Sequence, residues 1–469
     1  MSPRPPETEF ESVVGGPVAK VRIESIGCRL NIGEMEALAS TLAGRGHRVV
    51  TAGETADLCI FNTCTVTAMA SRKSRQILRQ LRRANPGAAM VATGCYAEMA
   101  PDTVSALGMD LVVGNQDKDR LAEILKDKGL LVNDETDSGS LDQPKAGPDP
   151  HRRTRAFLKV QDGCDNACAY CVVTIARGPG RSRQPRAVID DISRLLDDGY
   201  REIILSGVHL GSFGHDSGDR HGLHRLVERI LSMGTVPRLR LSSLEPWDLS
   251  PDFFDLFTDS HLMPHLHLPL QSGCDATLRR MARKTTQEDY SALVSDARQR
   301  VPDISISTDV MAGFPGETDS EFKQSFAFVK TMEFSHLHIF RYSIREGTPA
   351  ATMNHQVPGP IATERSRQFH GLNAVIEASF ARRFEGRELD VLWETAEDYG
   401  PGLRWSGLTP HALRVVTETS SDVDLFNTIT PTRILTAFPG EVLGQVHGVS
   451  LPNMVEEKSR RLMTIEGSG

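Results

Sequence analysis

Three of the eight cysteines fall within eight residues, in the run GCDNACAYC, as Cys164, Cys168 and Cys171 with C-x3-C-x2-C spacing. Soft thiolates this close together wrap one inorganic centre, and they favour an iron–sulfur cluster or zinc. Structural zinc wants four closed ligands, commonly two C-x2-C pairs, and neither a second pair nor a nearby His-x3-His follows. Three thiolates therefore leave one metal open to a reactant, as a catalytic cluster requires. Three unligated buried thiols are the poorer reading, because chance rarely packs three cysteines at one strand end.

Cys28 in IGCRLN, Cys64 in FNTCTV and Cys95 in ATGCYAE each follow a short apolar run. If those runs are parallel strands, the three meet at one sheet edge, where open α/β folds bind ligands. Spacing alone leaves open whether they hold a second centre or are buried packing residues. Cys59, inside DLCIF, and Cys274, after LPLQSG, read as small buried hydrophobes.

The elements that must carry these residues are visible as periodicity. Strands are expected from Lys20 to Ile26, Leu58 to Phe61 and Ala89 to Ala92, with a helix from Glu34 to Ala43 and an arginine-rich helix between the last two strands. That is an α/β unit with a mostly parallel sheet. NDETDSGSLDQPKAGPDP, from Asn133 to Pro150, has the composition of a linker. Beyond it, apolar runs begin at Phe157, Glu202, Arg238, His265, Ile304 and His336, and helical patterns from Ala187, Leu223, Gln287 and Ser320 alternate with them. Six β-α repeats predict a full or partial barrel with its chemistry on the loops at the carboxyl ends of the strands. From Gly386 the pattern becomes short alternating strands, a small β barrel. The expected organisation is a disordered tail over 1–18, an α/β domain over 19–132, a linker over 133–152, the barrel over 153–385 and the β domain over 386–450.

Charge narrows the partners. The chain of 469 residues has 53 Lys and Arg against 61 Asp and Glu, so bulk attraction to polyanions is absent and a nucleic-acid site must be a local basic face. One such face is Arg72, Arg75, Arg79 and Arg82, which share a side of the arginine-rich helix. Arg177, Arg181, Arg183 and Arg186 form a second group, and Arg279, Arg280, Arg283 and Lys284 a third. Singly, each reads as a solvated face; three of them around a reactive centre favour an anionic substrate. No run approaches the ~20 apolar residues of a membrane span, and a cytoplasmic location is expected. GFPGE, from Gly313 to Glu317, lacks the Lys-Ser/Thr ending of a phosphate loop and reads as a strand-to-helix turn.

C-x3-C-x2-C at the end of the first barrel strand resembles the radical S-adenosylmethionine superfamily. The whole set, including VQDGCDNACAYC, LSGVHLGSFG, LPLQSGCDATLRRMARKTT, ISTDVMAGFPGETDSEF and FRYSIREGTPA, is similar to the methylthiotransferases from Lys20 to about Gly448. The resemblance implies an α/β fold of three parts: a parallel-sheet cluster domain, a radical (βα)6 partial barrel and a C-terminal TRAM-like β barrel. It implies two [4Fe-4S] clusters and S-adenosyl-L-methionine. Cys164, Cys168 and Cys171 would then hold the cluster that cleaves S-adenosylmethionine to a 5′-deoxyadenosyl radical, and Cys28, Cys64 and Cys95 the cluster that delivers sulfur.

The cofactor pocket implied lies at strand ends, with Tyr170, Gly207, Gly211, Gln271, Asp309 and Gly313 as candidates. GCRLN and FRYSIREGTPA look most like the branch acting on N6-threonylcarbamoyladenosine beside the tRNA anticodon. Arg72, Arg75, Arg79, Arg82, Arg181 and Arg183 are the candidate RNA contacts, and Arg29 or Arg341 would suit the threonylcarbamoyl carboxylate. A flavodoxin- or ferredoxin-type electron donor and a sulfur source are implied partners. The alternatives are a sibling substrate, isopentenyladenosine or a ribosomal-protein aspartate, and a non-catalytic RNA-binding module with structural metal centres. The β domain is neither strongly basic nor aromatic beyond Trp393 and Trp405, which counts against a strong RNA grip.

Overall fold

The computed structural model describes residues 19–131, 153–400, 402–438 and 440–449, so the expected tail and linker lie outside the described residues. The chain divides into two compact units. The first combines the described N-terminal residues with Gln161–Arg181 and Ser343–Thr352; the second holds 153–160, Ser182–Tyr342 and the described residues from Met353 onward. The loop bearing Cys164, Cys168 and Cys171 thus belongs to the same unit as Cys28, Cys64 and Cys95.

The first unit is built on five parallel strands, β1 (Lys20–Ser25), β2 (Arg48–Val50), β3 (Leu58–Thr63), β4 (Ala89–Gly94) and β5 (Leu111–Val113), in the order β2-β1-β3-β4-β5. β3 and β4 are buried at every residue, which is why LCIFNT and AMVATG read as continuous apolar runs and not as alternation. Two helices flank them, α1 (Arg29–Gly44) and α2 (Ala68–Ala84); Thr67 caps α2 by accepting from the Ala70 N–H. Because the strands run parallel, the residues just past β1, β3 and β4 share one edge. Cys28, Cys64 and Cys95 are those residues.

The second unit holds six parallel strands. Arg155–Lys159, Glu202–Ser206 and Arg238–Leu241 form one sheet, and His265–His267, Ser305–Ala312 and His336–Arg341 another. Bridges Leu239–Leu262 and Ser243–His267 join the two, giving the expected partial barrel. One face of the strands, including Ile203, Leu205, Leu239 and Leu241, packs on Val188, Ile192, Leu226 and Val227 of the surrounding helices. Thr286 with Asp289 and Thr318 with Glu321 form capping boxes that start two of those helices. Gly313–Glu317 makes the expected strand-to-helix turn, its Gly313 N–H donating to Glu317 at 2.8 Å.

Two elements go beyond the expectation. Helix Gly359–Arg382 follows the barrel and lays Phe369 against Phe322 and Phe326. Strand Leu403–Leu408 completes a closed five-stranded barrel with Glu388–Asp398, Arg414–Thr419, Ile429–Phe438 and Glu441–Val446. Trp393 and Trp405 are in its core, not on its surface. This small barrel docks on the amino ends of the large barrel's strands. Arg238 donates to the Leu408 and Asp390 carbonyls at 2.9 and 2.7 Å, and Arg240 to Pro410 and Thr409 at 3.1 and 3.3 Å. Among the described residues, no helix is long and apolar enough to cross a membrane.

Candidate functional site

Three of the six site cysteines follow a glycine with positive φ: Gly27 (+112°), Gly94 (+95°) and Gly163 (+71°). None of the three glycines has room for a side chain. A Cβ on Gly27 would lie 2.7 Å from Cys64 Sγ, one on Gly94 2.2 Å from Asn62 Oδ1, and one on Gly163 1.9 Å from the Pro179 carbonyl. The repeated Gly-Cys pair is therefore a steric requirement for bringing thiols to the sheet edge and closing the 161–181 loop. It is also a signal that reading the cysteines alone passes over.

Each triad is grouped closely enough for its thiols to interact. Burial first, then the Cys28 and Cys95 thiols, push Cys64 up to about 11. Cys171 is likewise raised to about 11 by burial, with Cys168 and Cys164 adding to it. Thiols held this high stay protonated at neutral pH unless a metal cation displaces the proton. Among the described residues no three His, Cys, Asp or Glu side chains are close enough to hold a single metal ion. Three thiols from one motif suit a multinuclear iron–sulfur centre, in which each thiolate binds one iron.

A buried polar network lies within the same unit. Arg177 Nη1 donates to Glu34 Oε1 and Asp162 Oδ1, both at 2.9 Å, and its Nη2 donates to Asn31 Oδ1 at 2.8 Å. Lys118 Nζ donates to Glu34 Oε2 at 2.8 Å, and Asn62 Nδ2 to the same oxygen at 3.1 Å. Burial opposes the charge on Arg177, but Glu34, Cys95 and Asp162 outweigh it and hold the guanidinium well above its ordinary pKa. Burial pulls Lys118 below the usual lysine range, with Glu34 only partly countering it. The sequence places Arg177 in a basic surface run; the structure corrects this, because the side chain is buried and two of its three partners, Asn31 and Glu34, lie more than a hundred residues away.

In the second unit, Gln271 and Asp309 come together. The Gln271 N–H donates to the Asp309 carbonyl at 2.8 Å, and its Nε2 to Asp309 Oδ2 at 3.3 Å, with Gln271 at φ +73°. His267 joins them, its Nε2 3.1 Å from Asp309 Oδ1 and its Nδ1 2.6 Å from Ser243 Oγ. His209 and Asp248 form a buried pair at 2.5 Å. These histidines carry no local spacing signal, and only strand pairing reveals them. Gly207 follows strand Glu202–Ser206. Gly211 and Gly313 are required by the protein itself, since a Cβ would meet the Asp248 carboxylate at 2.5 Å or Ala362 at 2.6 Å. Tyr170 is half-buried in the first unit. Cys59 and Cys274 are buried, Cys274 pointing its thiol to Gln324.

The basic runs are partly internal. Arg72 and Arg79 are exposed, whereas Arg75 donates to the Tyr96 hydroxyl at 2.9 Å and Arg82 to Ala88 and Asp110 at 3.3 Å. Arg181 donates to the Arg177 carbonyl, and Arg183 to Lys159 and Asp191. Arg280 pairs with Glu321, and Arg283 is buried against Glu245. Arg29 is exposed, and Arg341 donates to Thr363 at 2.7 Å.

Residues 20–114 match "Uncharacterized protein family UPF0004" and residues 158–329 the Radical SAM superfamily. The chain is 34% identical over 414 residues to "Threonylcarbamoyladenosine tRNA methylthiotransferase MtaB" of Bacillus subtilis, covering 87% of this chain and 92% of that protein. It is 31% identical to "tRNA-2-methylthio-N(6)-dimethylallyladenosine synthase" of Staphylococcus saprophyticus, covering 79% and 75%. Among solved structures, the radical S-adenosylmethionine methyltransferase TsrM of Kitasatospora setae superposes with a TM-score of 0.52 at 16% identity, over 72% of this chain and 77% of that one. That likeness speaks to the fold.

Proposed function

We infer, since the chain belongs to the methylthiotransferase family of radical S-adenosylmethionine enzymes, that it installs a methylthio group at C2 of N6-threonylcarbamoyladenosine next to the tRNA anticodon. The observation that carries the reading is the gathering of both thiol triads into one compact unit, each set by a Gly-Cys step that tolerates no side chain. Cys164, Cys168 and Cys171 would hold one [4Fe-4S] cluster and Cys28, Cys64 and Cys95 the other. When bound, the pair supplies the electron that cleaves S-adenosylmethionine and the sulfur that is inserted.

The chain's own residues bind and orient. Gln271 and Asp309 offer an amide and a carboxylate to the cofactor's ribose hydroxyls, held by the Ser243–His267–Asp309 chain of hydrogen bonds. Tyr170, Gly207, Gly211 and Gly313 complete the proposed S-adenosylmethionine contacts. The exposed Arg29, beside Cys28, offers a cation for the threonylcarbamoyl carboxylate, and a prenylated adenosine would have no use for it. The exposed Arg72 and Arg79 would meet phosphate, Arg75, Arg82, Arg181 and Arg183 are further proposed RNA contacts, and the nucleotide would be presented splayed from its stack. A flavodoxin- or ferredoxin-type donor, a sulfur source and a cytoplasmic setting accompany this reading.

Mass spectrometry of tRNA nucleosides from a strain lacking the protein tests it. Loss of the 2-methylthio form of threonylcarbamoyladenosine is expected. Loss of the isopentenyl counterpart in its place would move the substrate to the sibling nucleoside, and unchanged tRNA would overturn the reading.

A further inference from the structure

We propose that Arg177 is a positioning residue shared by both thiol triads, fixing one cluster loop to the other and setting the reduction potential of the N-terminal centre. The inference rests on the reading that both triads carry clusters.

The geometry is unusually direct. Asp162 stands two residues before Cys164, and Arg177 six residues after Cys171, so their 2.9 Å contact closes the loop that carries the whole second triad. The same loop is drawn shut by the Cys164 N–H donating to the Gly178 carbonyl at 3.0 Å. The other hydrogen bonds of Arg177 go to Asn31 and Glu34, on the helix that starts directly after Cys28. Asn31 in turn donates to the Ile26 carbonyl, immediately before Gly27, and to the Thr63 carbonyl, immediately before Cys64. Glu34 accepts from Asn62, two residues before Cys64, and from Lys118. One guanidinium thus touches the backbone supports of cysteines from both triads.

Stability is a poor explanation for such a network. Arg177 is 2% exposed, Lys118 5%, Glu34 7% and Asp162 7%. Replacing buried ion networks by apolar residues of similar volume is often neutral or stabilising, so retention points to a task that apolar packing cannot perform. Two tasks fit. The planar five-donor fork can hold three acceptors at fixed angles, which a lysine cannot. A buried cation within electrostatic reach of Cys64 and Cys95 also favours the more negative, reduced state of a centre bound there. Lys118 adds a second cation on the same side.

The test uses the full chain, reconstituted without oxygen, as Arg177→Lys and Arg177→Gln. Potentials of the N-terminal centre are read by EPR-monitored titration in a Cys164→Ala, Cys168→Ala, Cys171→Ala background, where only that triad can load. Arg177→Gln is expected to shift this potential downward, and Arg177→Lys to restore it. In the otherwise unaltered chain, both variants should raise the yield of 5′-deoxyadenosine per methylthiolated product by about tenfold or more, because cleavage is no longer coupled to transfer. An unchanged potential in Arg177→Gln together with an unchanged product ratio in Arg177→Lys would overturn the proposal. Should Arg177→Gln fail to load iron, the ratio in Arg177→Lys decides alone. Failure of the unaltered protein to load both triads would instead remove the two-cluster reading itself.

Discussion

Glu202 accepts two hydrogen bonds from Arg240, at 2.9 and 3.2 Å, in a place where neither side chain reaches water. Arg238 lies 3.9 Å away and Arg155 4.0 Å, so one carboxylate answers three cations at the junction of the two barrels. Burial alone would raise Glu202, yet Arg240 and the other arginines hold it below the usual carboxylate range.

Glu202→Gln should therefore be severely destabilising. It leaves buried guanidiniums without their counter-ion, a loss of about 3–5 kcal/mol. Denaturant unfolding measures it, and a change below about 1 kcal/mol would show that the arginines are satisfied by the small barrel's carbonyls alone.

His411, stacked 4.5 Å from Phe384, gives the small barrel an acid-sensitive element. Burial pulls its pKa down to about 4, with Asp303 opposing. An unfolded histidine takes up its proton below about pH 6.5, but the folded one resists until about pH 4, so stability is lost as pH falls through that window. The loss is about 2 kcal/mol by about pH 5. His411→Phe should flatten the fall in melting temperature between neutral and mildly acid pH, and an identical slope in both proteins would contradict the assignment.

Gly27→Ala tests the steric argument at the sheet edge. With φ at +112° and its new methyl 2.7 Å from Cys64 Sγ, the variant should fail to assemble the N-terminal triad. Iron should drop from about eight to about four per chain while S-adenosylmethionine cleavage persists. Full iron loading would show that the loop relaxes without cost.

Cys168→Ala and Cys64→Ala separate the two roles. The first should abolish formation of 5′-deoxyadenosine, and the second should retain it while stopping sulfur insertion into tRNA. Chromatography of the small products and mass spectrometry of the RNA read both activities. Equal loss of both in the two variants would contradict the division of labour.

What the sequence discloses follows from how local each signal is. Cys164, Cys168 and Cys171 are legible because all three thiols sit on one short loop, and the strands of both α/β parts because burial on one or two faces writes a short-range pattern. The capping boxes at Thr286 and Thr318 are likewise contained within four residues. Arg177 is illegible because its partner Glu34 lies 143 residues away, and a charge carries no mark of burial in sequence. Strand Leu403–Leu408 follows the Gly-Pro-Gly run of the sequence: only pairing with its two neighbours, not its own composition, makes LRWSGL a strand.

The arginine bonds at the amino ends of the barrel strands have a last consequence. With Arg238 and Arg240 sealed against the carbonyls of Asp390, Leu408, Thr409 and Pro410, the large barrel is a cup and not a tube. A ligand held near Gln271 and Asp309 would therefore be reached from the carboxyl ends of the strands, away from the small barrel.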